Sequence, residues 1–265
     1  MKNNLKIAYY LQISSLFTYL IIGYFVAGFV RLGLEQWILS ILGSLATTFF
    51  LNSVLKNRLN YFSSIISGTA VFLITSSLEW YGYLILSSVA VISKSIFKDK
   101  NNQHIFNPAG ISILFCIILF PKLIVLDAIQ FIVSPNLMLI VIFMGLLTNI
   151  FVGKIPLTLG FVIGYFLGSI IRANLEPEAF EFFFFPIFNP TYLIFIFHML
   201  SDPKVSPRPI FWQFLAGISI ALIDHLLRQF NVLYSPLIAL SLFTSIFYIY
   251  KCYNPTKFEL NSSTI

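Results

Sequence analysis

The chain has 265 residues, of which 58% are hydrophobic and 10% charged, against about 45–50% and about 25% for an average soluble domain. That balance excludes a soluble globular fold, because no interior of this size hides so much apolar surface. The net charge of +6 is carried by Lys and Arg scattered singly between apolar runs, which excludes a nucleic-acid surface. The expected partner is the lipid bilayer, and the expected fold is all-α: one polytopic membrane domain over 1–265, with a first half of about 1–130, a second of about 131–252 and a cytoplasmic tail at 253–265.

Ten apolar segments follow in chain order, over about 7–30, 36–55, 62–78, 80–97, 107–120, 134–153, 155–174, 187–201, 209–228 and 231–250. The first lacks a small-x-small cleavage site and is read as a retained helix. Sorting the basic residues tests the count. With a cytoplasmic N-terminus, the inner connections hold Lys2, Lys6, Lys56, Arg58, Lys94, Lys98, Lys100, Lys154, Lys204, Arg208, Lys251 and Lys257, and the outer ones only Arg31, Lys122, Arg172 and Arg228. This bias follows the positive-inside rule and predicts a multi-pass protein of the cell membrane with both termini cytoplasmic and the Glu176–Glu181 loop outside.

Two segments are too short to cross about 30 Å of hydrocarbon. Each begins with Asn-Pro, at Asn107-Pro108 and Asn189-Pro190, the pattern of an N-cap followed by a proline at the first helical position. A third broken segment is expected around Ser67-Gly68. Half-length helices are tolerated at membrane depth where their free backbone groups face protein or a polar cavity, and in transporter folds they build the ligand site. The stretches from Ile105 and Ile187 also resemble each other, each ending in Pro-Lys at the same spacing, which reads either as two related halves of five segments in inverted repeat or as convergence on one capping solution. On the inverted-repeat reading Asn107 and Asn189 point toward one another.

Polar groups near these short helices are the candidate site. His198 and Asp202, four apart, share a helix face; they read either as a ligand or proton-relay pair or as a cytoplasmic-end contact of Asp202 with Lys204 or Arg208. Asp224 and Arg228 read as an interfacial salt bridge. Two cysteines, Cys116 and Cys252, form no cluster motif, so neither an iron–sulfur cluster nor a disulfide is expected. Of His104, His198 and His225 only His198 falls at membrane depth, so haem is not expected either. No nucleophile, zinc or phosphate-loop motif is present that would assign an enzyme activity.

At Phe106-Asn107-Pro108-Ala109 and Ser201-Asp202-Pro203, with Ser67-Gly68, Ser93-Lys94 and Leu227-Arg228 in the same order, the sequence resembles a family of membrane subunits shared by the Rnf electron-transport complex and the sodium-pumping NADH:quinone reductase. The resemblance implies a ten-helix fold of inverted repeats, similar to urea transporters, that binds flavin and works with other redox membrane subunits. It raises Lys94, Asn107 and Asp202, and together with the half-helix reading the expected binding residues for a noncovalent flavin or a quinone are Ser67, Gly68, Lys94, Asn107, Pro108, Asn189, Ser201 and Asp202. Covalent flavin mononucleotide is not expected, because the threonine-bearing loop to which the family attaches it is replaced by a short Lys122–Ser134 connection without threonine. A stand-alone channel or transporter for a small solute on the same scaffold, or a purely structural role, accounts for the same residues.

Overall fold

Strong turn signals punctuate the apolar runs and set the elements. The structure, a computed structural model, describes residues 2–26, 33–54, 59–99, 104–126 and 135–253. Lys56, Arg58, Arg31, Lys100, Lys257, most of the 122–134 connection and the 254–265 tail lie outside them. The first half holds α1 (Lys2–Val26), α2 (Leu34–Val54), α3 (Tyr61–Ile74), β1 (Thr75–Ser77), α4 (Trp80–Ile96), α5 (Pro108–Leu119) and β2 (Ile124–Leu126). The second holds α6 (Pro135–Val152), α7 (Ile155–Leu175), α8 (Phe180–Phe184), a 3₁₀ turn (Phe185–Phe188), α9 (Pro190–Ile194), a π-helical turn (Phe195–Leu200), α10 (Ile210–Gln229) and α11 (Ser235–Tyr253).

Among the described residues four helices (α2, α7, α10 and α11) are long and apolar enough to cross a membrane, or five if the pair spanning Phe180–Phe188 and Pro190–Leu200, bent by 60°, is one span. The fold is helical as expected, with two departures. The third segment is not broken at Ser67-Gly68, through which α3 runs as one helix, but at Ile74, where Thr75–Ser77 leaves it to pair antiparallel with Ile124–Leu126. The β-branched Thr75 ends the helix with its hydroxyl donating to the Val71 carbonyl at 2.7 Å. The eighth segment is broken at Asn189 and widened into a π turn before Leu200.

Both Asn-Pro sites start helices. Asn107 accepts from the Gly110 N–H at 3.0 Å and Asn189 from the Thr191 N–H at 2.9 Å. Asn60 does the same for α3, accepting from the Phe62 N–H at 2.8 Å.

The tightest helix crossing is α7 on α10. Gly160, Gly164 and Gly168 recur every four residues and place one bare face of α7 against α10, where Gly217 answers them. A Cβ on Gly160 would stand 2.2 Å from the Phe214 carbonyl oxygen, and one on Gly217 2.2 Å from the Leu157 carbonyl oxygen. In the first half α2 packs on α4, where a Cβ on Gly43 would meet Ser87 Oγ at 2.5 Å. Gly160→Ala is therefore expected to cost about 1–3 kcal/mol of stability by overpacking, whereas Gly110→Ala, whose nearest neighbour would be 3.7 Å away, is tolerated. Thermal unfolding of the two purified variants checks the contrast; equal melting temperatures would refute the close crossing.

Candidate functional site

The charged groups separate to the two ends of α11. At its N-terminus Ser235 donates to Asp224, and at its C-terminal end Lys251 pairs with Asp99 at 3.1 Å; nineteen helical residues hold the two ends about 28 Å apart. Two cavities lie between the helices, the lysine-end one lined by Lys94 and Lys204 and the arginine-end one by Arg228.

The lysine-end cavity is where α5 begins and the π turn finishes. Its volume is about 60 Å³, and it is lined by Ser67 from α3, Lys94 from α4, Asn107 and Pro108 from α5, and His198 and Asp202. Lys94, almost fully buried, donates to the Ser63 carbonyl and to Ser63 Oγ, the latter at 3.0 Å. Asn107 has two roles. Its oxygen caps α5, while its Nδ2 donates to Asp202 Oδ2 at 3.3 Å and to the Met199 carbonyl at 3.5 Å. Asp202 in turn accepts the Lys204 N–H at 3.0 Å, closing the turn after the broken helix. Burial pushes the Asp202 carboxyl above the usual carboxylate range, against the opposing pull of Lys204, Lys94 and Lys154. The His104 imidazole, also facing this cavity, is pushed down to about 3 by burial and then by Lys204 and Lys94, so it is neutral.

His198 reaches across to the first helix. Its Nε2 lies 3.2 Å from Tyr19 Oη, and the Tyr19 hydroxyl donates to the Val141 carbonyl at 3.1 Å. A carbonyl only accepts, so the tyrosine proton is committed and Nε2 is the donor. Nδ1 of His198 is buried without a partner, as is Nδ1 of His104.

The arginine-end cavity is larger, at about 300 Å³ by the same measure, and is lined by Asn189, Tyr192, Phe195, Arg228, Tyr234 and Ser235 among others. Its wall is a closed network: Asp224, fully buried, accepts from Tyr192 Oη at 2.7 Å, from Arg228 Nε at 3.2 Å and from Ser235. The Asp224–Arg228 salt bridge expected from their spacing is thus present, with two hydroxyls the spacing did not indicate. Ile74 and Met199, each 1% exposed, line both cavities and stand between them.

The residues singled out in the sequence are therefore divided. Ser67, Lys94, Asn107, Pro108 and Asp202 converge on the lysine-end cavity. Asn189 does not: it lines the other one, because α5 presents its N-terminus to the C-terminal end of the broken helix rather than to its start, and Asn107 and Asn189 do not face each other. Ser201 turns inward, donating to the Phe197 carbonyl four residues back. Gly68 is a packing residue, since a Cβ there would stand 2.8 Å from the Ser40 carbonyl oxygen. His104, Ser63 and Lys204 also line the cavity, although the sequence does not place them among the binding residues; the expected contact of Lys204 with Asp202 is made through its backbone N–H. Cys116 and Cys252 are both free, and among the described residues no group of three His, Cys, Asp or Glu is placed to hold a metal ion. Compared with known proteins, the chain matches no family model and no curated sequence.

Beside this cavity Lys154, at the α6–α7 turn, donates to the Pro207 carbonyl at 2.6 Å. Burial pulls its amine down to about 8, with Asp202 opposing. An amine whose folded pKa is depressed costs stability where the unfolded chain keeps its proton, so stability rises as pH climbs from about 8 toward the unfolded value of about 10.4. The expected gain is on the order of 3 kcal/mol across that window. Comparing wild type with Lys154→Met from pH 7 to 10.5 by thermal unfolding isolates it: the variant loses this rise, and identical slopes would refute the assignment.

Proposed function

We propose that the chain is a membrane transport protein built like the Rnf membrane subunits it resembles, crossing the cell membrane with ten segments and offering a small polar or ionic solute a path through two facing cavities. The observation that carries this reading is convergence. Landmarks of the resemblance that lie far apart in sequence, at Ser67, Lys94, Asn107 to Ala109, and Asp202-Pro203, line one cavity, and that cavity backs onto a second across Ile74 and Met199. The charge distribution supports the lysine end as cytoplasmic.

The order of packing supports two five-segment halves in inverted repeat. α2 lies on α4 as α7 lies on α10, α4 on α5 as α10 on α11, and α3 meets α1 as α9 meets α6. This correspondence pairs α3 with the broken α9 segment and α5 with α11. Asn107 and Asn189 are then not repeat mates, and their matching Asn-Pro starts are two uses of one capping solution.

Electron transfer with noncovalent flavin or quinone and redox partner subunits is the second reading, favoured by the arginine-end cavity: its size falls in the range of small-molecule sites and Tyr192, Phe195 and Tyr234 wall it. The lysine-end cavity, at about 60 Å³, has no room for a three-ring flavin.

Purified protein separates the two. On the transport reading the sample is colourless and liposomes containing it swell in a gradient of a permeant small solute. Met199→Ala speeds swelling severalfold by thinning the partition and Met199→Phe slows it. A yellow sample that transports nothing moves the assignment to the electron-transfer reading. In either case no flavin-fluorescent band is expected on a denaturing gel, and one that persists would show a covalent flavin that the Lys122–Ser134 connection is not expected to carry.

A further inference from the structure

The groups around the lysine-end cavity hold unused hydrogen-bond capacity of both kinds. His198 lines it at 4% exposure, and its Nδ1 is buried without a partner. Because Nε2 carries the proton toward Tyr19, Nδ1 is a lone pair, able only to accept. Asp202 adds acceptors: among the described residues its oxygens take one N–H each, from Lys204 and from Asn107, and a carboxylate offers about four lone pairs. Lys94 adds a donor. An ammonium has three N–H groups and Lys94 gives two to Ser63, so among the described residues the third is left for the cavity.

These groups oppose ions of either sign. An anion would meet the Nδ1 lone pair and the Asp202 carboxylate, and a cation would meet the Lys94 ammonium, at a buried site where such encounters are costly. A neutral ligand avoids both, provided it donates to Nδ1 and Asp202 and accepts from Lys94. Ordered water satisfies such groups singly. One planar amide satisfies them together, since its N–H groups and its carbonyl oxygen belong to one rigid unit. Space sets the size: with about 15 Å³ needed per water, about 60 Å³ admits roughly four non-hydrogen atoms.

Resting on the reading of this cavity as the solute site of a transport protein, we infer that the solute is a small neutral primary amide of about four non-hydrogen atoms, its N–H groups donating to His198 Nδ1 and Asp202 and its carbonyl accepting from Lys94. Tyr19 is then a positioning residue. It acts through His198, because by accepting from Nε2 it keeps Nδ1 in the accepting form.

Acetamide, acetate, acetamidinium and acetone share one size and shape and test this on the wild-type protein. Acetamide donates and accepts, acetate and acetone only accept, and acetamidinium only donates and is charged. Saturation-transfer NMR on the methyl group they share measures binding to the full-length purified protein. Acetamide is expected to bind about tenfold more tightly than each of the others, the effect of a buried hydrogen bond left unmade. Tightest binding of any other compound, all bound alike, or no binding of acetamide overturns the inference; the last leaves a cavity filled by water. Lys94→Met should weaken acetamide about tenfold. Tyr19→Phe, which keeps the ring, frees Nδ1 to carry the proton, so the preference for acetamide over acetone should shrink severalfold, a change that a packing role would not produce. Unchanged affinity in the first and unchanged preference in the second, with both folded, also overturns it. Swelling assays keep the two claims apart: liposomes that take up potassium nitrate with valinomycin while the protein binds no acetamide sink the inference alone. Acetamide binding without permeation of either solute above protein-free liposomes sinks the transport reading alone.

Discussion

Everything distinctive about this protein follows from one constraint, that a backbone amide or carbonyl away from water must find a partner. Helices satisfy it except at their ends, and this chain stops several helices short. Each stop is answered. Where α3 ends at Ile74, Thr75 to Ser77 turns into a strand and borrows partners from Ile124 to Leu126. Where α5 and α9 begin, Asn107 and Asn189 supply side-chain acceptors. Where the π turn ends, Asp202 takes the Lys204 amide and reaches Asn107 of the other half. The lysine-end cavity is the space left between such ends, and its polarity comes from the groups that close them.

The two buried aspartates show how that requirement separates structure from function. Asp224 sits among Tyr192, Arg228 and Ser235, so its charge is neutralised and its oxygens are occupied; a buried pair of this kind fixes the ends of α9, α10 and α11 and has little left to offer a ligand. Asp202 is bound by two neutral N–H donors and surrounded by lysines at longer range. Around it remain imidazole nitrogens without partners. The polar groups are thus saturated at the arginine end, while unpartnered nitrogens remain at the lysine end.

Local information is legible in the sequence and long-range pairing is not. The helical class follows from hydropathy, and the caps at Asn107 and Asn189 follow from Asn-Pro alone, because a cap is decided within four residues. The Asp224–Arg228 pair follows from helical spacing. Lys94 is marked by the order of motifs and Asp202 also by its spacing from His198, and all three line one cavity. Which ends face each other depends instead on how closely helices approach. Gly160, Gly164 and Gly217 let α7 and α10 touch backbone to backbone, and that approach is written in residues remote from the site. Hence the expectation that Asn107 faces Asn189 fails while both caps stand. Gly68 illustrates the same limit: its place beside Ser67 makes it a candidate ligand residue, although its lack of a side chain serves the α2–α3 contact.

The π turn is the least local feature, and its neighbours explain it. A turn with i→i+5 bonds is wider than an α-helix and needs room outside it. Gly145 of α6 gives that room, since a Cβ there would stand 2.3 Å from the Phe197 ring. Ser201 ties the end of the turn by donating to the Phe197 carbonyl. Phe197 packs on α6, His198 reaches Tyr19 and lines the lysine-end cavity, and Met199 stands in the partition between both cavities. The bare face at Gly145 is what lets the Phe197 ring seat on α6 where the turn widens.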